Sequence, residues 1–136
     1  MMTGYVDPSR EGWQAFKDLP RDRPIHMLNL IKFRELADYP EGHPNHGKGM
    51  TGQQAYEVYR EGFQRVVAND GAAMIWEAPL DCTVTGPQGE WDEAFVMGYP
   101  NSGLLMAMVK NEEYVRDVLP HRTAAVADSR LIRFAG

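Results

Sequence analysis

"IHMLNLIKF", residues 25–33, is the stretch whose reading decides the fold. It is short, apolar and bounded by Pro24 and a charged run, which predicts a β-strand. Alternation places Ile25, Met27, Asn29, Ile31 and Phe33 on one face, and His26, Leu28, Leu30 and Lys32 on the other. Both faces are largely apolar, so both call for cover. Helices of the same chain can supply one layer. The other face invites a second copy of the chain, joined through closed two-fold pairing of sheets.

Downstream, "RELADYPEGHPNHGKGM" (34–50) is rich in Gly, Pro and His and has no steady period, so it reads as a long loop, a candidate lid. "TGQQ" at 51–54 is a capping box, Thr51 with Gln54, and opens a helix. Its apolar stripe is Ala55, Val58, Tyr59, Gly62, Phe63, Val66 and Val67, and "NDG" at 69–71 supplies the stop. "AAMIWEAPLDCTVTG" reads as a strand interrupted by Pro79, and "GPQGE" (86–90) as the turn of a hairpin returning through "WDEAFVMGY" (91–99). Asn101 or Ser102 caps a further helix carrying Leu104, Leu105, Met108 and Val109, which "NEEY" (111–114) restarts. Pro120 begins an alanine-rich turn, and "SRLIRF" (129–134) closes the chain as a strand.

Upstream, Asp7-Pro8 reads as the cap of a short helix with Trp13, Phe16 and Leu19 on one stripe, ended by "LPRDRP" (19–24). The expected organisation is an N-terminal helical extension over 1–24 and one domain over 25–136. Its order βαββαβ is the ferredoxin-like arrangement: α+β, a four-stranded antiparallel sheet with helices on one face. Pairing through the bare face would give a dimeric α+β barrel, and the space left between the paired sheets would collect the polar side chains.

Composition narrows the function. A chain of 136 residues can bury one real core, and 43% hydrophobic with 24% charged residues is ordinary for a globular domain. A net charge of −5 argues against a nucleic-acid partner, which needs clustered Lys and Arg. No run of about 18 apolar residues predicts a membrane span, and "MMTGYVDPSREGW" carries no secretory pattern. The single cysteine, Cys82, forms neither an internal disulfide nor a zinc cluster and reads as a small buried residue in the alternation Leu80-Cys82-Val84. A cytoplasmic protein with no cofactor is expected.

The segments "MLNLIKF", "WDEAFVMGYP", "NEEY" and "HRTAAVADSRLI" resemble the family called domain of unknown function 1330, over roughly residues 24 to 134. "YVDPSREGWQAFKDLPRDRP" is similar to the leader of one branch of it. The resemblance implies ferredoxin-like subunits paired as a dimeric α+β barrel. It implies no reaction, because the wider superfamily spans cofactor-independent monooxygenases, dye-decolourising haem proteins, muconolactone-type isomerases and plain ligand binders. The family's recurring positions match Asn29, Trp91-Asp92, Tyr99-Pro100, His121-Arg122 and Asp128-Ser129-Arg130.

Several of these residues carry chemistry. His121 and Arg122 follow Pro120, where an exposed helix N-terminus would favour an anion, suppress protonation of His121 and leave Arg122 to fork a carboxylate. The bland alternative is that both solvate a helix end. Asn29 either orients a ligand or ties down backbone, since a buried amide needs partners. Arg130 either anchors a ligand or pairs with Asp92 or Asp128. Tyr99 ends a strand where a phenol can reach a pocket mouth, while Trp76 and Trp91 fit core or dimer contacts as well as a ligand wall. His43 and His46 have no strong metal-site spacing, so no metal is assigned.

The reading is a homodimeric binder of a small anionic or carbonyl compound. It is an enzyme only if His121 serves as acid or base, with Asn29, Tyr99, Arg122 and Arg130 holding the substrate. The alternative is a non-catalytic dimer in which His121, Arg122, Asp128 and Arg130 form one stabilising network.

Overall fold

A computed structural model describes residues 4–136. Its elements are α1 (Arg10–Lys17), β1 (Ile25–Phe33), α2 (Gly52–Val67), β2 (Ala73–Pro79), β3 (Glu93–Tyr99), α3 (Ser102–Lys110), a π-helical turn (Tyr114–Val118), α4 (Leu119–Ala125) and β4 (Val126–Ala135). The strands form one antiparallel sheet in the order β2-β3-β1-β4, the ferredoxin-like topology. β1 is an interior strand, hydrogen-bonded to β3 on one side and β4 on the other.

The two faces of β1 meet different fates. Ile25, Met27 and Ile31 are fully buried beneath Tyr56, Tyr59 and Phe63 of α2, Leu105 and Met108 of α3, and Val118. The register sets Leu28 beside Val96 and Ile132, His26 beside Phe134, and Val96 beside Trp76. Those residues share the opposite face, where Trp76 is 51% and Phe134 49% exposed. None of the helices among the described residues contributes its buried side chains to that face.

Local signals explain most boundaries. The Thr51 side chain accepts from the Gln54 N–H, and the Gln54 side chain accepts from the Thr51 N–H, so α2 starts where the capping box stands. Asn101 accepts from Leu104 N–H to start α3, and Asn111 accepts from Tyr114 N–H to restart the chain after it. At the first helix the cap is Ser9, two residues beyond the expected Asp7-Pro8.

Four other expectations need correction. Within α2, Val58 faces solvent and Tyr56 takes the buried position. The tight hairpin is a longer connection, because after Pro79 the backbone leaves the sheet. Cys82 and Val84 then lie outside any ladder that could impose alternation; both are exposed, Val84 by 93%. Last, no free helix N-terminus exists at Pro120. The π-helical turn runs straight into α4, with the Leu119 N–H donating to Tyr114 O, and its wider register accommodates the proline ring.

α2 approaches the π-helical turn at Gly62, where a Cβ would lie 2.8 Å from Val118 Cγ2. Gly62→Val should therefore lower the unfolding free energy by about 1–3 kcal/mol, the usual cost of overpacking. Urea denaturation measures it, and an unchanged midpoint would contradict this close contact.

Candidate functional site

β4 begins by gripping the chain's N-terminal segment. The Ser129 hydroxyl donates to Tyr5 O (2.7 Å), and Arg122 Nη1 donates to Val6 O. The Tyr5 N–H donates to Asp128 Oδ1 at 2.9 Å. Burial pushes the Asp128 carboxyl up, but the Tyr5 N–H and the Arg130 guanidinium outweigh it and hold the carboxyl below the usual range. Gly4 passes so close to β4 that a Cβ there would fall on the Ala127 carbonyl oxygen. Farther along, Arg133 Nη1 and Nη2 donate to Phe16 O and Pro20 O, closing the C-terminal end of α1 and stacking on the Phe16 ring.

Pinned this way, residues 5–19 wall a cavity of about 640 Å³ on the helix side of the sheet. Its floor is laid in rows by the strand register: Ser129, then Leu131–Asn29–Phe95, then Arg133–Met27–Met97, then Tyr99 opposite Ile25. Its roof is Trp13 and Phe16 of α1, Leu105 and Met108 of α3, and the phenols of Tyr59 and Tyr114. The polar side chains were thus expected between paired sheets but gather on the other side. There the helices and the N-terminal segment leave a gap over β1 and β4.

Asn29, Tyr99, Arg122 and Arg130 all line this cavity; His121 does not. Among the described residues no carboxylate lies within ion-pair distance of Arg122, which spends single N–H groups on Val6 O and on Ser129 Oγ (3.2 Å). Arg130 is engaged: it pairs with Asp128 at 2.9 Å and stacks between the Tyr5 and Trp91 rings. Asn29 Nδ2 donates to Met27 O at 3.2 Å, leaving its carbonyl oxygen without a partner among the described residues. Tyr99, 5% exposed, makes no side-chain hydrogen bond among them. Burial raises the pKa of Tyr59, Tyr99 and Tyr114, so all three stay protonated donors. Tyr59 and Tyr114 face each other across 3.1 Å.

His121 points to the loop at 34–50 instead. Its Nδ1 lies 2.6 Å from the Tyr39 hydroxyl, which burial keeps protonated, so the neutral ring accepts that O–H. His43 stacks on Tyr39 at 4.5 Å and meets the His121 ring edge-on at 5.4 Å. His43 Nδ1 accepts from Asn45 N–H, and His46 Nδ1 donates to Tyr39 O. The loop is therefore docked on α4 and contributes no residue to the cavity lining, which the N-terminal segment walls instead. Burial and then His43 depress the His121 pKa, with Asp117 opposing. That direction matches expectation, but its cause is not a helix terminus.

Tyr59, Tyr114, Trp13 and Arg133 had no sequence signal for this role; each reads as core or surface. The one available hint was the tyrosine excess on helix faces otherwise filled by aliphatic residues.

The fold and cavity define a ferredoxin-like α+β protein with a mostly apolar site. No family model matches the chain, and neither does any curated protein. Among solved structures, methylated RPA0582 protein is 38% identical, with a TM-score of 0.88 over 99% of this chain and 96% of that one. Another structure of RPA0582, a protein of unknown function from Rhodopseudomonas palustris, is 36% identical with a TM-score of 0.87 over 98% of both chains. The chain belongs to the RPA0582 family. A dimeric protein of unknown function and ferredoxin-like fold from Bacteroides fragilis shares the fold alone, at 11% identity and a TM-score of 0.50, over 86% of this chain and 100% of that one.

His121 gives a pH dependence with a defined sign. Its folded pKa lies below the usual 6.5, so the unfolded chain binds the proton first on acidification. Stability present above about pH 6.5 should fall as pH drops toward the folded value, and His121→Asn should flatten that fall. Urea midpoints from about pH 7.5 to 5 test it; identical slopes in the two proteins would refute the assignment.

Proposed function

We propose that the protein binds a small amphipathic molecule whose anionic or carbonyl head sits on Arg122. The carrying observation is that Arg122 alone among the three lining arginines has neither a carboxylate nor a pair of carbonyls to occupy its fork. A guanidinium beside a buried hydroxyl, opening on Met and aromatic walls, suits a carboxylate with an apolar body. Asn29, Tyr99 and Arg130 complete the binding set in this reading. His121 takes no part in it, because Tyr39 and His43 hold its ring at the other side of α4.

A second reading draws on a separate observation. Arg122, Ser129, Asp128 and Arg130 together fasten the N-terminal segment, so they serve as a structural network even with nothing bound. Arg122→Gln separates the two. Under the binding reading it weakens a carboxylate ligand by about 10- to 150-fold, the worth of a charged hydrogen bond, while Ser129→Ala weakens it less. Under the network reading, melting temperatures drop for both variants, and thermal shifts with aromatic and alkyl carboxylates are absent even in the unaltered protein.

The bare sheet face supports a homodimer. Ile75, Trp76, Ile132 and Phe134 stand exposed there together, an apolar surface that water covers poorly. Membership of the domain of unknown function 1330 family is the finer grouping we infer, from Asn29, Trp91-Asp92 and Tyr99-Pro100 in sequence. The unaltered protein should sediment as a dimer and Trp76→Glu as a monomer. A monomeric unaltered protein at micromolar concentration would remove the dimer from the account.

A further inference from the structure

We infer that the ligand is elongated and polar at both ends: a carboxylate at Arg122 and a hydrogen-bond acceptor at Tyr99, joined by an apolar body. This rests on the binding reading above and adds to it the length and far-end chemistry of the ligand.

Ser129, which contacts Arg122, pairs with Ile31, whereas Tyr99 pairs with Ile25. Six residues of β1 separate the two ends, about 20 Å of strand at the backbone. One continuous cavity spans both. Between them the floor is Met27, Met97, Phe95 and Leu131, with Asn29 and Arg133 the polar residues, the latter engaged by Phe16 O and Pro20 O. At about 640 Å³ the space sits in the range of pockets that engulf drug-sized ligands, far beyond a two- or three-carbon acid.

Tyr99 marks the far end because its ring is buried while its protonated hydroxyl lines the cavity with no hydrogen-bond partner among the described residues. A methyl group arriving there would take water from that hydroxyl and leave it unmatched, so a hydroxyl or carbonyl is favoured. Tyr59 and Tyr114 differ: each already has the other's hydroxyl.

Calorimetric titration with ω-hydroxydodecanoate, dodecanoate, benzoate and acetate provides the test. The hydroxy acid should bind about three- to tenfold tighter than dodecanoate, one hydrogen bond's worth, and acetate too weakly to measure. Tyr99→Phe should erase the difference between the two long acids. Arg122→Lys should retain part of the binding that Arg122→Gln loses, with circular dichroism confirming that both fold. Equal affinities for the two long acids, or benzoate binding while both long acids fail, would overturn the two-ended ligand and leave the Arg122 reading standing. If no carboxylate binds, or if Arg122→Gln changes nothing, the Arg122 reading itself is overturned.

Discussion

Two donors at the head of the last strand hold the site together. The Ser129 hydroxyl reaches the carbonyl of Tyr5, and the Arg122 guanidinium reaches the carbonyl of Val6. These residues come from α4 and β4, yet what they hold is the opposite end of the chain. Remove that grip and residues 5–19 keep the Tyr5–Asp128 bond, the Arg130 stack on Tyr5, the apolar contacts of Val6, Trp13 and Phe16, and the carbonyl bonds of Arg133. The cavity would lose a wall and become an open groove over β1 and β4.

The same strand also serves its outer face. Ile132 and Phe134 share the face of Leu28 and His26, while Ser129, Leu131 and Arg133 share the face of Ile31, Asn29 and Met27. A one-residue slip of β4 would send the guanidinium of Arg133 outward and Ile132 inward, so it would damage both surfaces at once.

Where local chemistry sets the outcome, the sequence was legible. The two-faced pattern of 25–33, the Thr51–Gln54 capping box and the Asn101 cap each act within a few residues, and each stands where it was read. Asn29, Tyr99, Arg122 and Arg130 were singled out as polar groups on apolar elements, and one cavity gathers them. His121 was misplaced for a geometric reason. Neighbours on a helix project about 100° apart, so adjacent residues rarely serve one site, and Arg122 turns inward while His121 turns to Tyr39. The free N-terminus imagined at Pro120 failed because a π-helical turn continued the helix through the proline, a device no residue pattern announces. The role of the N-terminal segment was equally invisible, since its grip depends on contacts more than a hundred residues apart.

The central claim is that residues 5–19, tied down by Arg122 and Ser129, close over a bound amphipathic carboxylate. Hydrogen–deuterium exchange of the protein with and without dodecanoate addresses it directly. Slower exchange across residues 5–19 on ligand addition, abolished in Arg122→Gln, is the expected result. Unchanged exchange there, with protection instead across β2 and the outer face of the sheet, would contradict it.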